Sequence, residues 1–223
     1  MTLDAGIPES VRREVTDESI QIPPHGLKGI LTVPDDAESV IVFAHGHGSN
    51  RLSPRNTHVA RGLQRAGLAT LMLDLLSTSE SQNRAHLSDI PLLAQRLLSA
   101  SDWVAEHPRT SRLRLGYFGA GTGAAAALTA AALGRHDIGA VVSRSGRPAM
   151  AIDALPDVTA PTLLIVGEWD EAVLDRNRAA YARLDCEKEL RIVPGATHLF
   201  EEPGALDTVI HMTCSWFRSH LRR

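Results

Sequence analysis

Six short, apolar-rich stretches separated by longer helical ones limit what this chain can become: "SVIVFAHG", "LATLMLDLL", "LRLGYFG", "IGAVVSRSG", "PTLLIVGE" and "KELRIVPG". Strands covered on both faces read as near-continuous apolar runs, and the first two stretches are of that kind. Helical patterns fall between and after them: Pro54 to Ala66, about Ile90 to Glu106, an alanine-rich stretch after Gly123, about Glu171 to Leu184, and about Gly204 to Leu221. Strand alternating with helix at this spacing implies an α/β fold, with a mainly parallel central sheet flanked by helices on both faces. Ahead of this core, Val11 to Ile22 and Leu27 to Val33 alternate about the turn "PPHG" and are expected to form an opening antiparallel hairpin. Residues 1–223 read as one domain, with the hairpin at about 11–33 and the core at about 39–221.

Open α/β sheets take their ligands beyond the carboxyl ends of the strands, so those ends are where chemistry belongs. The polar residues collect there, at 45–49, 74–81, 119–123, 143–148, 167–170 and 194–198. The segment "STSESQNRAHLSD" reads as a mobile surface loop or part of a lid. Net charge is −3 and the basic residues are scattered, which leaves no electrostatic footprint for nucleic acid. The expected partner is a small-molecule substrate or ligand. No apolar run approaches the ~18 residues of a membrane span, and the acidic start "MTLDAGIPESVRREVTDES" is unlike a secretory leader, so a cytoplasmic address is expected. Cys186 and Cys214 show no metal or redox spacing and read as idle thiols. Oligomeric state is not legible.

Gly119-Ala120-Gly121-Thr122-Gly123 keeps the outer glycines of G-x-S-x-G between a strand and a helix, the context in which that motif forms a nucleophile elbow. A phosphate loop is the alternative for a glycine-rich helix start, but the lysine of G-x-x-x-x-G-K-[ST] is missing and G-x-G-x-x-G does not fit. Asp170 and His198 each follow an apolar strand, and their order after Gly121 is the nucleophile, acid, base order of α/β-hydrolases. In "FAHGHGS", the interleaved glycines suit main-chain donation, so the N–H groups of His47 and Thr122 are candidates for an oxyanion hole. His45-x-His47 has metal-like spacing without a third ligand nearby, and no metal is expected.

"HGHGSNRLSPRN", "GLATLMLDLL", "DIPLLAQRLLSASDWV", "GYFGAGTGAAAAL", "VVSRSGRP", "APTLLIVGEWDEAVLDRN" and "VPGATHLFEEPGAL" together resemble the dienelactone hydrolase-like branch of the α/β-hydrolase superfamily, from about Ser39 onward. The resemblance implies an α/β-hydrolase fold of about eight strands with little or no cap domain, and a Ser-Asp-His triad acting on small esters or lactones without a cofactor. Carried over residue by residue, the acid falls on Asp170, the base on His198 and the nucleophile on Gly121, where the family has serine.

Glycine has no atom that can attack a carbonyl. Three outcomes are compatible with that: a nucleophile-deleted ester or lactone hydrolase, a non-hydrolytic enzyme using His198 and Asp170 as a general base for a lyase, cyclase or elimination step, or a non-catalytic small-molecule-binding protein. Loss of the triad nucleophile still leaves about 10³ to 10⁴-fold acceleration over water. Arg51 and Arg147, with Arg55 and Arg144, stand near strand-end loops where a substrate carboxylate could pair, and Trp169 stands where it could wall a cleft.

Overall fold

All the apolar runs lie side by side in one sheet. The computed structural model describes residues 16–222. In chain order the elements are β1 (Asp17–Ile22), β2 (Leu27–Thr32), β3 (Ser39–Ala44), α1 (Pro54–Arg65), β4 (Ala69–Leu73), α2 (Ile90–Glu106), β5 (Arg114–Ala120), α3 (Thr122–Ala132), β6 (Ile138–Arg144), β7 (Thr162–Gly167), α4 (Glu171–Arg183), β8 (Lys188–Val193) and α5 (Ala205–His220). The spatial order is β1-β2-β4-β3-β5-β6-β7-β8. From β4 to β8 every neighbouring pair is parallel, while β1 and β2 pair antiparallel and β2 runs antiparallel to β4. The expected hairpin is therefore the outer part of the same sheet; its residues 11–15 lie outside the described residues.

The period-2 geometry of a strand explains why β3 carries apolar residues without a break. Val40, Val42 and Ala44 pack in one core with Leu93 and Leu97 of α2 and the alanines of α3. Ile41 and Phe43 point the other way, into a second core with Val59 and Leu63 of α1 and Val209 and Phe217 of α5. Each such side chain contributes about 1.5–3 kcal/mol when removed from water. The alanines of α3 are short enough to bring that helix hard against the sheet, which sets the position of its first residue.

Between β4 and α2 the polar segment forms two short 3-10 turns, Glu80–Gln82 and His86–Ser88. Glu80 pins it, accepting from the Ser77 N–H at 2.9 Å and from Arg96 Nη2 of α2 at 2.6 Å. The Ser77 N–H, opposed by partial burial and helped by Arg96, holds the Glu80 carboxyl well below the ordinary value, at about 2. Asp89 then caps α2 by accepting from the Leu92 N–H at 3.0 Å. Among the described residues no helix is long and apolar enough to cross a membrane.

Candidate active site

Three loops at the carboxyl ends of β3, β5 and β8 make the site, together with the turn after β7. The β5–α3 junction is a single residue, Gly121, with φ +55° and ψ −125°. Its neighbours are glycines for packing reasons. A Cβ on Gly119 would strike the backbone of Ala124, one on Gly123 would strike the Ala44 carbonyl, and one on Gly46 would come within 2.8 Å of the Ala120 oxygen. Gly121 differs, because a Cβ there would meet only Gly46 Cα, at 3.5 Å. Space for a side chain is present, and only the positive φ favours glycine. The Gly121 carbonyl is held by the Ala124 N–H at 3.3 Å and the Arg147 N–H at 2.9 Å.

The β3–α1 loop lies against this elbow. The His47 N–H donates to Thr122 Oγ1 at 3.2 Å, so one of the two expected oxyanion donors already has an acceptor, which an incoming oxyanion must replace. Thr122 itself is buried, its hydroxyl turned towards that loop.

Asp170 sits at the start of α4 and His198 in the loop that follows β8. His198 Nδ1 donates to Asp170 Oδ2 at 2.6 Å, which makes Nδ1 the protonated nitrogen of the neutral ring. Nε2 then carries the lone pair and has no partner among the described residues; the side chain is 45% exposed. The two loops are stitched together by Trp169 N–H to Ala196 O at 3.0 Å, Glu168 N–H to Val193 O at 3.0 Å and Gly195 N–H to Glu168 Oε2 at 2.7 Å. A Cβ on Gly167 would strike the Ala196 and Thr197 carbonyls, so the close approach of β7 to the histidine loop needs glycine there. Glu168, which braces the histidine loop, has no motif signature in the sequence.

The arginines divide by partner. Arg51 is engaged by Asp74: its guanidinium pairs with Oδ2 and its own N–H donates to Oδ1 at 2.7 Å. His45 Nε2 lies 3.2 Å from Oδ1 of the same carboxylate. Burial pushes the Asp74 carboxyl up, but hydrogen bonds from His45 and from the Arg51 backbone and side chain outweigh it and hold it below its ordinary value. Arg55 pairs with Glu201 at 3.0 Å. Arg144 is buried beside Asn56, with Nη2 3.2 Å from Oδ1, and burial first, then the Arg55 charge, lowers it to about 10. Arg147 is exposed and reaches the site through its backbone; Trp169, 65% exposed, stands beside Asp170. The sequence reading did not find the Arg51–Asp74–His45 network, although a carboxylate ending an apolar strand was a signal for it.

A cavity of about 450 Å³ opens on the β4 side of the elbow, lined by the 46–51 loop, residues between Asp74 and Thr78, Leu87 of the 3-10 segment, Leu93 of α2 and Thr122. A larger concavity, about 700 Å³, lies against β8 and α5 near Glu187 and Trp216, away from this chemistry. Among the described residues no group of three or more His, Cys, Asp or Glu side chains is placed to hold a metal ion.

Comparison with known proteins agrees with this architecture. Residues 27–214 match the dienelactone hydrolase family. A dienelactone hydrolase from Anabaena variabilis ATCC 29413 superposes with a TM-score of 0.90 at 48% identity, covering 94% of this chain and all of the other. Est1E from Butyrivibrio proteoclasticus shares the fold with a TM-score of 0.78 at 16% identity, over 92% of this chain and 99% of that one. A Mycobacterium tuberculosis (strain ATCC 25618 / H37Rv) protein, provisionally named a phosphoribosyl transferase, is 52% identical over 207 residues, 92% of this chain and 47% of its own length. The chain thus spans about half the length of that relative. With its eight-stranded sheet and the family match over most of its length, the chain belongs to the dienelactone hydrolase family.

Proposed function

We propose that the chain carries the machinery for hydrolysis of small esters or lactones with its nucleophile position occupied by glycine, and that hydrolysis in this form is slow and water-driven. The observation that carries the reading is the open space above Gly121, at a positive φ and at a helix start that no side chain caps, in a protein that also keeps the His198–Asp170 couple at 2.6 Å.

In this reading Asp170 holds the Nδ1–H tautomer, leaving His198 Nε2 to take a proton from a water lodged where a side-chain hydroxyl would sit. The water oxygen adds to the substrate carbonyl carbon. Negative charge developing on the carbonyl oxygen is met by the Thr122 and His47 N–H groups at the start of α3. Collapse expels the alkoxide, which recovers the proton from the imidazolium, and the products are an acid and an alcohol. For a lactone both groups stay on one molecule. The vacated volume is about that of one water, ~30 Å³.

The test is a paired assay on activated short-chain esters. Gly121→Ser is expected to raise kcat by about 10⁴-fold or more, with His198→Ala abolishing the gain. If Gly121→Ser stays inactive, the reading fails. The His198–Asp170 pair then favours non-covalent general-base chemistry if a true substrate turns over in a His198-dependent way, and a ligand-binding role if small molecules stabilise the fold without product. The phosphoribosyl transferase name belongs to a relative about twice as long and carries no activity over to this chain.

A further inference from the structure

Next to the elbow, the cavity of about 450 Å³ falls in the ~300–1,000 Å³ range of small-molecule sites. Its walls are of two kinds. Leu75 and Leu93 are buried and Leu76 and Leu87 half-buried, giving an apolar lining. The rest of the lining is mostly polar and includes Ser49, Thr78 and Ser81 together with His45, Arg51 and Asp74. Among the described residues Arg51 is the only lysine or arginine on this lining, and its charge is already matched by Asp74, a carboxylate that also takes the Arg51 N–H and His45 Nε2. A carboxylate so fully bonded stays ionised, and its charge and that of the Arg51 guanidinium offset each other.

We infer that this cavity is the acyl pocket, that it takes an uncharged and mainly apolar acyl group, and that Asp74 sets this preference by neutralising Arg51. The inference rests on the reading of Thr122 and His47 as the oxyanion side, since both line the cavity and a substrate carbonyl held by them has this space next to it for its acyl chain. An anionic acyl group entering the same space would shed its hydration without gaining a free cation, and it would face the Asp74 carboxylate. Removing the Asp74 charge frees Arg51 to pair with it.

The test uses methyl ketones, which have no leaving group and cannot be hydrolysed: benzylacetone and its para-carboxylate, titrated into the native chain with its Gly121. The native chain is expected to bind benzylacetone at least ~10-fold more tightly than the carboxylate, a difference of about 1.4 kcal/mol. Asp74→Asn is expected to shrink that ratio by ~10-fold or invert it, and Leu76→Trp, which fills the cavity, to weaken benzylacetone by ~10-fold or more. A native preference for the carboxylate, an unchanged ratio in Asp74→Asn, or full affinity in Leu76→Trp overturns the inference. Should Asp74→Asn not fold, the Arg51→Met/Asp74→Asn double variant decides. With both charges gone it must keep the preference for the neutral probe, and a preference for the carboxylate overturns the proposal. Because these probes need no nucleophile, inactivity of Gly121→Ser on esters with the binding pattern intact sinks only the catalytic reading, and the reverse result sinks only this one.

Discussion

Two histidine–aspartate couples stand beyond the carboxyl ends of the strands, and they are built for opposite ends. His198 and Asp170 lie 2.6 Å apart, with the histidine 45% exposed and the aspartate 13% exposed. His45 and Asp74 lie 3.2 Å apart, with both side chains mostly covered, 13% and 17% exposed. Asp74 spends its remaining acceptor capacity on Arg51, whereas the other couple leaves an imidazole nitrogen without a partner among the described residues. The same residue pair thus serves as a wall where its hydrogen-bonding capacity is filled, and as a candidate base where one nitrogen is left available.

The sharpest way to break this comparison is to restore a nucleophile and ask which histidine it needs. Gly121→Ser is expected to gain about 10⁴-fold or more in kcat on activated esters, to lose that gain with His198→Ala, and to lose no more than about tenfold with His45→Gln. Equal losses from both histidines in steady-state assays contradict the distinction.

The aspartates should separate next. In the Gly121→Ser background, Asp170→Asn is expected to cost about 10³ to 10⁴-fold in kcat, because the histidine loses its oriented tautomer, while unfolding free energy in urea moves by less than about 1 kcal/mol, because the histidine partner is 45% exposed. Asp74→Asn is expected to do the reverse. It strands the partly buried Arg51 and costs about 1–3 kcal/mol, discounted from a fully buried pair because Arg51 is 24% exposed, with activity on neutral esters kept within about tenfold.

Stability of the elbow gives a smaller and more local contrast. Gly123→Ala, which drives a methyl group into the Ala44 carbonyl, is expected to cost about 3 kcal/mol or more in urea unfolding. Gly121→Ala, where the space is open and only φ is unfavourable, is expected to cost about 1–2 kcal/mol. Equal costs at the two positions imply that the apex is packed rather than open.

The smallest effect is in acid. Asp74 has a folded-state pKa below its ordinary 3.8, so its contribution is complete above that pH and lost as pH falls through the lower, folded value. The stability gap between the native chain and Asp74→Asn should therefore narrow below about pH 3.8 in urea titrations. Glu80 behaves in the same sense, its contribution fading between 4.5 and about 2 and absent in Glu80→Gln. A gap independent of pH contradicts the assignment of the network to a charged Asp74.

The placement of the candidate residues at strand ends was readable along the chain. Gly119 and Gly123, flanking position 121 between an apolar strand and an alanine-rich helix, describe a turn whose chemistry is local. Asp170 and His198 follow their strands by a few residues. Arg51 shows where such reading stops. Its place after β3 made it a candidate for a substrate carboxylate, but the partner that claims it, Asp74, is 23 residues away and ends a different strand. His47 is similar, since its N–H was expected to face the cleft and instead finds the hydroxyl of Thr122, 75 residues on.

What the sequence by itself determined is the layering: runs such as "SVIVFA" can be buried on both faces only inside a sheet with helices on either side, and that demand is set by neighbours along the strand. What the tertiary structure alone decided is which polar groups are used up and which are left available. Burial of an apolar side chain is favourable against almost any apolar neighbour, so its pattern is legible locally. A charge or an N–H is satisfied only by one particular group within about 3 Å, and which group that is depends on how distant loops meet.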